Sequence, residues 1–315
     1  MSALSIVIIT VAVFAAALLV TSGIIFYTSF ARRPLREFDP SKSKKWSDPI
    51  LAGAADRIAL CSDRLQSMEL ERVYVTSADG LCLCAHLYEP ENMKALVILA
   101  HGYRGSYYSN FGCVFDFFAS RGYGMLFIEQ RAHGESEGKY ICFGVKERDD
   151  IKRWAYLMYD RFGSSVPIVL QGVSMGSSSV LMATGEDLPP TVKCVVADCG
   201  FTSPADEIGY IADKSSHFLK MLLLPFIDIY ARLIAGFSLY GYSTLTALRT
   251  NRLPVIFCHG TADKFVPCYM TEQNYEACIA PKEVVYVEGA SHALSYIVET
   301  ERCEKALGDF LDRYV

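Results

Sequence analysis

Gly172-Val173-Ser174-Met175-Gly176 sets a serine between two glycines. Pro167 to Leu170 before it reads as a buried strand, and Ser177 to Ala183 after it reads as a helix start made of small residues. A serine on a sharp strand-to-helix turn has its hydroxyl forced out of the sheet, and the flanking glycines remove side chains that would collide there. The turn also aims the Met175 backbone N–H, at a helix N-terminus, toward any oxygen that becomes negative near Ser174. The chemistry this suits is nucleophilic attack on a carbonyl carbon. The alternative is a chance match in a loop, and the strand before and helix after argue against it.

An alcohol is a poor nucleophile until a base takes its proton. The base must be a histidine held in one tautomer by a carboxylate. Six histidines are available: His86, His101, His133, His217, His259 and His292. His292 lies in Glu288-Gly289-Ala290-Ser291-His292-Ala293, between the last expected strand and the last expected helix. Asp263 lies in the loop after the preceding strand, within His259-Gly260-Thr261-Ala262-Asp263-Lys264-Phe265-Val266-Pro267. The chain order Ser174, Asp263, His292 is that of a nucleophile elbow with its acid and base. The plain alternatives are a surface-loop histidine and a turn-forming aspartate. Asp198, at the end of the strand after the nucleophile helix, is a rival acid. A tetrahedral intermediate needs two N–H donors, and Met175 and Tyr103 are the candidates, the latter in His101-Gly102-Tyr103-Arg104-Gly105. His101 itself is expected to be structural, and His259 to hold the acid loop.

These residues require a sheet to carry them. Expected strands are Glu71 to Thr76, Leu81 to Tyr88, Ala95 to Ala100, Gly124 to Glu129, Pro167 to Leu170, Val192 to Ala197, Val255 to His259 and Glu283 to Val287. Expected helices are Phe111 to Gly122, Gly144 to Phe162, Ser177 to Gly185, Cys268 to Ile279 and Ile297 to Tyr314. The first two strands flank Ala78-Asp79-Gly80, a hairpin signal. The later alternation of strand and helix means an α/β architecture with a mostly parallel sheet covered on both faces. Roughly sixty residues separate the strand ending at Ala197 from that starting at Val255. Most connections are far shorter, so residues 201–250 are expected to form a helical lid over the carboxyl ends of the strands, where ligands bind in open α/β sheets. Lateral packing alone is the other reading.

Met1 to Ala31 carries no charge, and the apolar run Leu4 to Phe30 exceeds the roughly 20 residues a membrane helix needs. Residues 4–31 are expected to be a transmembrane anchor. Ser29-Phe30-Ala31 also resembles a signal cleavage site. Arg32, Arg33, Arg36, Lys42, Lys44 and Lys45 follow. Positive flanks stay cytoplasmic, which places the remainder inside the cell, and the same cluster suits anionic headgroups or a plain solvated linker. Residues 32–70 are expected to be a juxtamembrane linker with Pro34, Pro40 and Pro49 and a short amphipathic helix over Ala52 to Leu70, leaving 71–315 as the main domain. At 315 residues a sizeable core is available without staples. The net charge of −5 with mixed signs argues against a nucleic-acid partner. Eleven cysteines are scattered without metal-site spacing, Cys82-x-Cys84 included, and suit small buried side chains in a reducing compartment.

Over about residues 70–315 the sequence resembles the α/β-hydrolases, and more narrowly the branch of serine aminopeptidase-type hydrolases, monoglyceride lipases and membrane-anchored depalmitoylase-like proteins. The matching pieces are His101-Gly102, Arg131-Ala132-His133-Gly134-Glu135-Ser136-Glu137-Gly138, Gly172-Val173-Ser174-Met175-Gly176, Gly260-Thr261-Ala262-Asp263 and Gly289-Ala290-Ser291-His292. The resemblance implies that Arg131 and His133 brace a turn beside the site and are not catalytic; Ala132 departs from the glycine many relatives carry there. The expectation is a serine hydrolase acting on an acyl ester or thioester of a hydrophobic substrate, with no cofactor or metal. A serine aminopeptidase, using Asp206, Glu207 or Asp213 to catch an amine, and a catalytically silent membrane-tethered scaffold are the alternatives.

Overall fold

The computed structural model describes residues 2–34, 49–214 and 216–315. The basic residues Arg36, Lys42, Lys44 and Lys45, and Pro40, lie outside the described residues.

Eight strands form one sheet: β1 (Glu71–Thr76), β2 (Cys82–Tyr88), β3 (Ala95–Ala100), β4 (Tyr123–Ile128), β5 (Ile168–Val173), β6 (Val192–Asp198), β7 (Val255–Gly260) and β8 (Lys282–Val287). Their order is β1-β2-β4-β3-β5-β6-β7-β8. β2 pairs antiparallel with β1 and β4, and the remaining pairs are parallel. β3, β4, β5 and β7 are buried along their whole length, which is why they read as continuous apolar runs rather than alternating ones. From β3 the chain steps one way to β4 and then returns to the other side as β5. Ligands sit outside such a reversal of strand order, and the Tyr103 and Ser174 loops leave from those two neighbouring strands.

One face of the sheet is covered by α2 (Pro49–Gln66), α3 (Tyr107–Phe111), α4 (Phe115–Ser120), α11 (Ser295–Val298) and α12 (Thr300–Tyr314), through residues such as Leu65, Phe111, Phe118, Leu307 and Phe310. The other is covered by α5 (Glu147–Phe162), α6 (Met175–Ala183), α9 (Thr244–Leu248) and α10 (Cys268–Ala277), with Trp154, Met158, Val180, Leu181 and Leu248 in the core. The single helix expected over Phe111 to Gly122 is broken in two. A Cβ at Gly112 would lie 2.5 Å from the Cys61 carbonyl oxygen, so α2 crosses directly over the break. The closing helix is likewise interrupted, at Glu299 (φ −128°, ψ 64°).

The long insertion is helical: α7 (Pro204–Asp213), α8 (His217–Tyr230), a π-helical turn over Ala231–Ala235, and α9. Against it packs the C-terminal part of α1 (Ala3–Phe30), the one described helix long and apolar enough to cross a membrane. Ser22, Phe26 and Phe30 recur every fourth residue and are its buried positions, the spacing that places side chains on one helical face. Phe26 stacks 5.0 Å from Phe30 and 6.0 Å from Tyr230, and Phe30 lies 5.1 Å from Phe143. The expected boundary between anchor and domain is therefore not where the structure divides. The last turns of α1 belong to the same apolar cluster as Phe143, Phe201, Leu224 and Ile227.

Candidate active site

β5 ends at Val173, and Ser174 adopts φ 55°, ψ −118° before α6 begins. A positive φ is costly for a side-chain-bearing residue, and it persists because the flanking backbone fits nowhere else. A Cβ at Gly176 would lie 1.9 Å from the Ala100 oxygen, and one at Gly172 would lie 2.2 Å from Gly176 backbone. The turn is thus wedged against the end of β3, and Ser174 N–H is tied to Asp198 O at 2.8 Å.

The acid and base loops follow β7 and β8, which are adjacent, and they bond to each other. Thr261 N–H donates to Val287 O (2.9 Å), Ala262 N–H to Ala290 O (3.0 Å), and Gly289 N–H to Thr261 Oγ1 (2.9 Å). The result brings three distant side chains into line. Ser174 Oγ is 2.9 Å from His292 Nε2, and His292 Nδ1 is 2.7 Å from Asp263 Oδ2. Asp263 Oδ1 accepts from Phe265 N–H (2.8 Å) and Val266 N–H (3.0 Å). His259 Nε2 lies 3.0 Å from Val266 O and 3.3 Å from Asp263 Oδ2, while its Nδ1 pairs with Thr271 Oγ1 at 2.6 Å. Burial alone raises the Asp263 carboxyl pKa, but the bonds from His259 and His292 hold it well below the usual carboxylate range. A carboxylate so held favours the His292 tautomer with hydrogen on Nδ1, leaving Nε2 free to accept from Ser174.

The two expected N–H donors flank the serine. Met175 opens α6, where first-turn N–H groups have no intrahelical partner. The loop of Tyr103 presses on the nucleophile: a Cβ at Gly102 would lie 3.4 Å from Ser174 Cβ. This loop is fixed by Gly102 N–H to Asn110 Oδ1 (2.7 Å), Gly105 N–H to Gly102 O (3.0 Å) and Arg104 N–H to His133 Nε2 (3.0 Å). Burial first, then the neighbouring His101, pushes the His133 pKa down to about 3, so the ring is a neutral acceptor. His101 is fully buried beneath the loop, its Nε2 accepting from Gln130 N–H at 3.1 Å. Arg131 pairs bidentately with Asp150 (2.6 and 2.7 Å) and with Asp79 (2.9 and 3.1 Å).

Asp198, the rival acid, does not reach His292. Its Oδ1 has no partner among the described residues, and the side chain faces a separate cavity of about 70 Å³ that Gln171, Cys258 and Cys303 also line. Burial pushes its carboxyl up to about 7. Of the three lid carboxylates, Asp206 in the first turn of α7 accepts from the Thr202 and Ser203 hydroxyls (2.6 Å each), and Asp213 pairs with His217 at 2.7 Å. Glu207 alone lines the large cavity above Ser174. It is 1% exposed, and neither carboxylate oxygen has a partner among the described residues. Burial first, then the charge of Asp263, pushes it up to about 8. That cavity, about 330 Å³, is walled by Phe143, Phe201, Ile208, Leu223, Leu224 and Phe265 besides Ser174 and Tyr103. Phe265 also shields His292, with ring centroids 4.9 Å apart.

Two clusters bring three metal-type donor atoms within 4.8 Å of one another: Cys199, Asp263 and His292, and Cys84, His86 and Glu129. In the first, Asp263 and His292 already bond each other; in the second, His86 Nε2 lies 3.4 Å from Glu129 Oε1.

Comparison with known proteins bears on the fold. The family model described as serine aminopeptidase, S33, matches residues 91–228. The chain is 25% identical to protein YqkD of Bacillus subtilis (strain 168) over 269 residues, 85% of this chain and 88% of that protein. It is 28% identical to YfhR of Salmonella typhimurium over 240 residues, 71% of this chain and 75% of that one. Among solved structures, an esterase of Pyrococcus furiosus superposes with a TM-score of 0.63 at 23% identity, covering 80% of this chain and 93% of that one. By fold and by these likenesses the chain belongs to the α/β-hydrolase superfamily. Within that superfamily its class is that of the hydrolases, with esterases among its structural neighbours.

Proposed function

We propose that the protein is a membrane-anchored serine hydrolase that opens acyl esters or thioesters of a hydrophobic substrate through an acyl-enzyme on Ser174. The observation that carries this is the line from Ser174 Oγ to His292 Nε2 (2.9 Å) and from His292 Nδ1 to Asp263 Oδ2 (2.7 Å), set in the wall of an apolar cavity. Ser174 Oγ attacks the carbonyl carbon as its proton passes to His292 Nε2. The carbonyl oxygen, now negative, is held by the N–H groups of Tyr103 and Met175. His292 returns the proton to the leaving alcohol or thiol, and the acyl group stays on Ser174. Water then repeats the sequence, giving its proton to His292 and releasing the acid.

The anchor in this reading is α1. It is 28 residues long, and no charge occurs before Arg32. The following arginines orient it with the catalytic domain on the cytoplasmic side, so a reporter fused after Val315 is cytosolic.

Glu207 favours a second reading. A buried carboxyl in the cavity that accepts no hydrogen bond among the described residues suits an amine on the substrate, which would make the enzyme an aminopeptidase. A panel of p-nitrophenyl esters, monoacylglycerols, acyl thioesters and aminoacyl anilides, tested on the full-length protein, separates the two. We expect turnover of esters or thioesters and loss of it in Ser174→Ala. Preference for anilides with a free amine would replace the first reading by the second.

A further inference from the structure

We propose that the last turns of α1 form part of the active site: Ile25 and Ser29 wall the cavity above Ser174, and Ile25 sets the length of acyl chain it accepts. This rests on the hydrolase reading only for the identity of the cavity's occupant.

Ile25 and Ser29 are one helical turn apart and line the same cavity as Ser174, Glu207 and Leu224. Ile24, next in sequence, points outward and is 59% exposed. The carboxyl end of α1 is bound into the body of the protein. The last carbonyls of a helix have no intrahelical donor, and here three of them find one. Phe30 O accepts from Ile141 N–H at 2.8 Å. Thr28 O accepts from the Arg104 guanidinium, and Ser29 O from the Tyr103 hydroxyl at 2.6 Å. Two of these three partners thus come from the loop that carries the oxyanion N–H. Arg104 and Arg32 also place positive charge at the negative end of the helix dipole; Arg32 bonds the carbonyls of Ser136 and Gly134. A helix serving only as a tether has no need of these bonds.

The length of α1 gives the substrate's approach. At 1.5 Å per residue, Ile25 lies about 33 Å along the axis from Ala3, close to the roughly 30 Å thickness of a bilayer's hydrocarbon core. The cavity wall formed by α1 therefore falls at the membrane surface. Phe218, Met221 and Leu233, on the lid segment beside it, are exposed (67%, 64% and 80%). An acyl chain presented from the lipid reaches Ser174 along α1.

The test uses full-length protein in amphipol, where no lipid pool competes, with p-nitrophenyl acetate, octanoate and palmitate. Ile25→Trp fills the cavity from the α1 side. It should lower kcat/KM for palmitate at least tenfold more than for acetate, and the circular dichroism melt of the variant reports folding. Ile25→Ala should move the preference toward longer chains, and Ile24→Trp should leave the profile unchanged. If both Ile25 variants keep the wild-type profile, the inference is overturned. Binding of 11-dansylaminoundecanoic acid, read by fluorescence, keeps the two ideas separate. A protein that hydrolyses nothing, but whose Ile25→Trp variant binds this fatty acid at least tenfold more weakly, leaves the cavity assignment standing and removes the hydrolase reading. Unchanged binding and an unchanged profile in an active enzyme do the reverse.

Discussion

Glu207 is buried with neither carboxylate oxygen bonded among the described residues, the charge of Lys214 offsetting only part of that cost, and this gives stability a direction with pH. Its ordinary pKa of 4.5 is raised to about 8 by burial, then by Asp263. Between those values the folded state binds a proton that the unfolded chain has released, so stability falls as pH rises through that window. Glu207→Gln removes this contribution and should flatten the fall by up to about 1.4 kcal/mol per pH unit. Thermal unfolding of both proteins from pH 5 to pH 8 measures it; parallel curves would mean that Glu207 is charged and paired. Some fall remains in the variant, because burial raises Asp198 in the same way, to about 7. Ser174, Asp263 and His292 were legible in the sequence because each sits in a short loop of small residues directly after a strand. Glu207 could not be told from Asp206 and Asp213, since a carboxylate in the first turn of a helix reads as a cap or a solvated residue. Ser203 is the cap, Asp206 bonds its hydroxyl, and Glu207 is turned into the cavity. Asp198 stood as a rival acid for a related reason: it ends a strand on the correct edge, and only its side-chain direction excludes it.

At the scale of elements, the turn after β4 shows how the site loops are fixed without joining the chemistry. Arg131 is 3% exposed and joins Asp150 on α5 to Asp79 in the β1–β2 turn. Removing one member of a buried charge network leaves the others uncompensated, which costs about 3–5 kcal/mol. Arg131→Ala should therefore lower stability by that order in denaturant titration, while kcat at low temperature falls far less than in Ser174→Ala. An equal collapse of kcat in folded protein would assign Arg131 a direct role. The resemblance carried this bracing role; composition and spacing did not. Ala132, where the resemblance implies glycine, adopts φ 62°, in the region that glycine enters at no steric cost. Strand identities followed from continuous apolar runs. Helix breaks did not, because the crossing of α2 over Gly112 is a contact between segments far apart in the chain.

For the whole molecule, the order of the strands puts the Tyr103 and Ser174 loops side by side and the Asp263 and His292 loops side by side, with the lid above them. The sequence showed an apolar N-terminal run and a folded domain as separate regions. Their union through Phe26, Phe30 and the orphan carbonyls of α1 was hidden, because uniform hydrophobicity masks which face of a helix is packed. A truncated protein lacking α1 would thus lose part of its cavity wall. The full chain, incubated with a fluorophosphonate and mapped by peptide mass, tests the central claim most directly. One adduct on the peptide containing Ser174, formed at least about a hundredfold more slowly in His292→Ala as expected for loss of a general base, is the predicted result. Folded protein that takes up no adduct, or that takes it up equally as Ser174→Ala, would contradict the account.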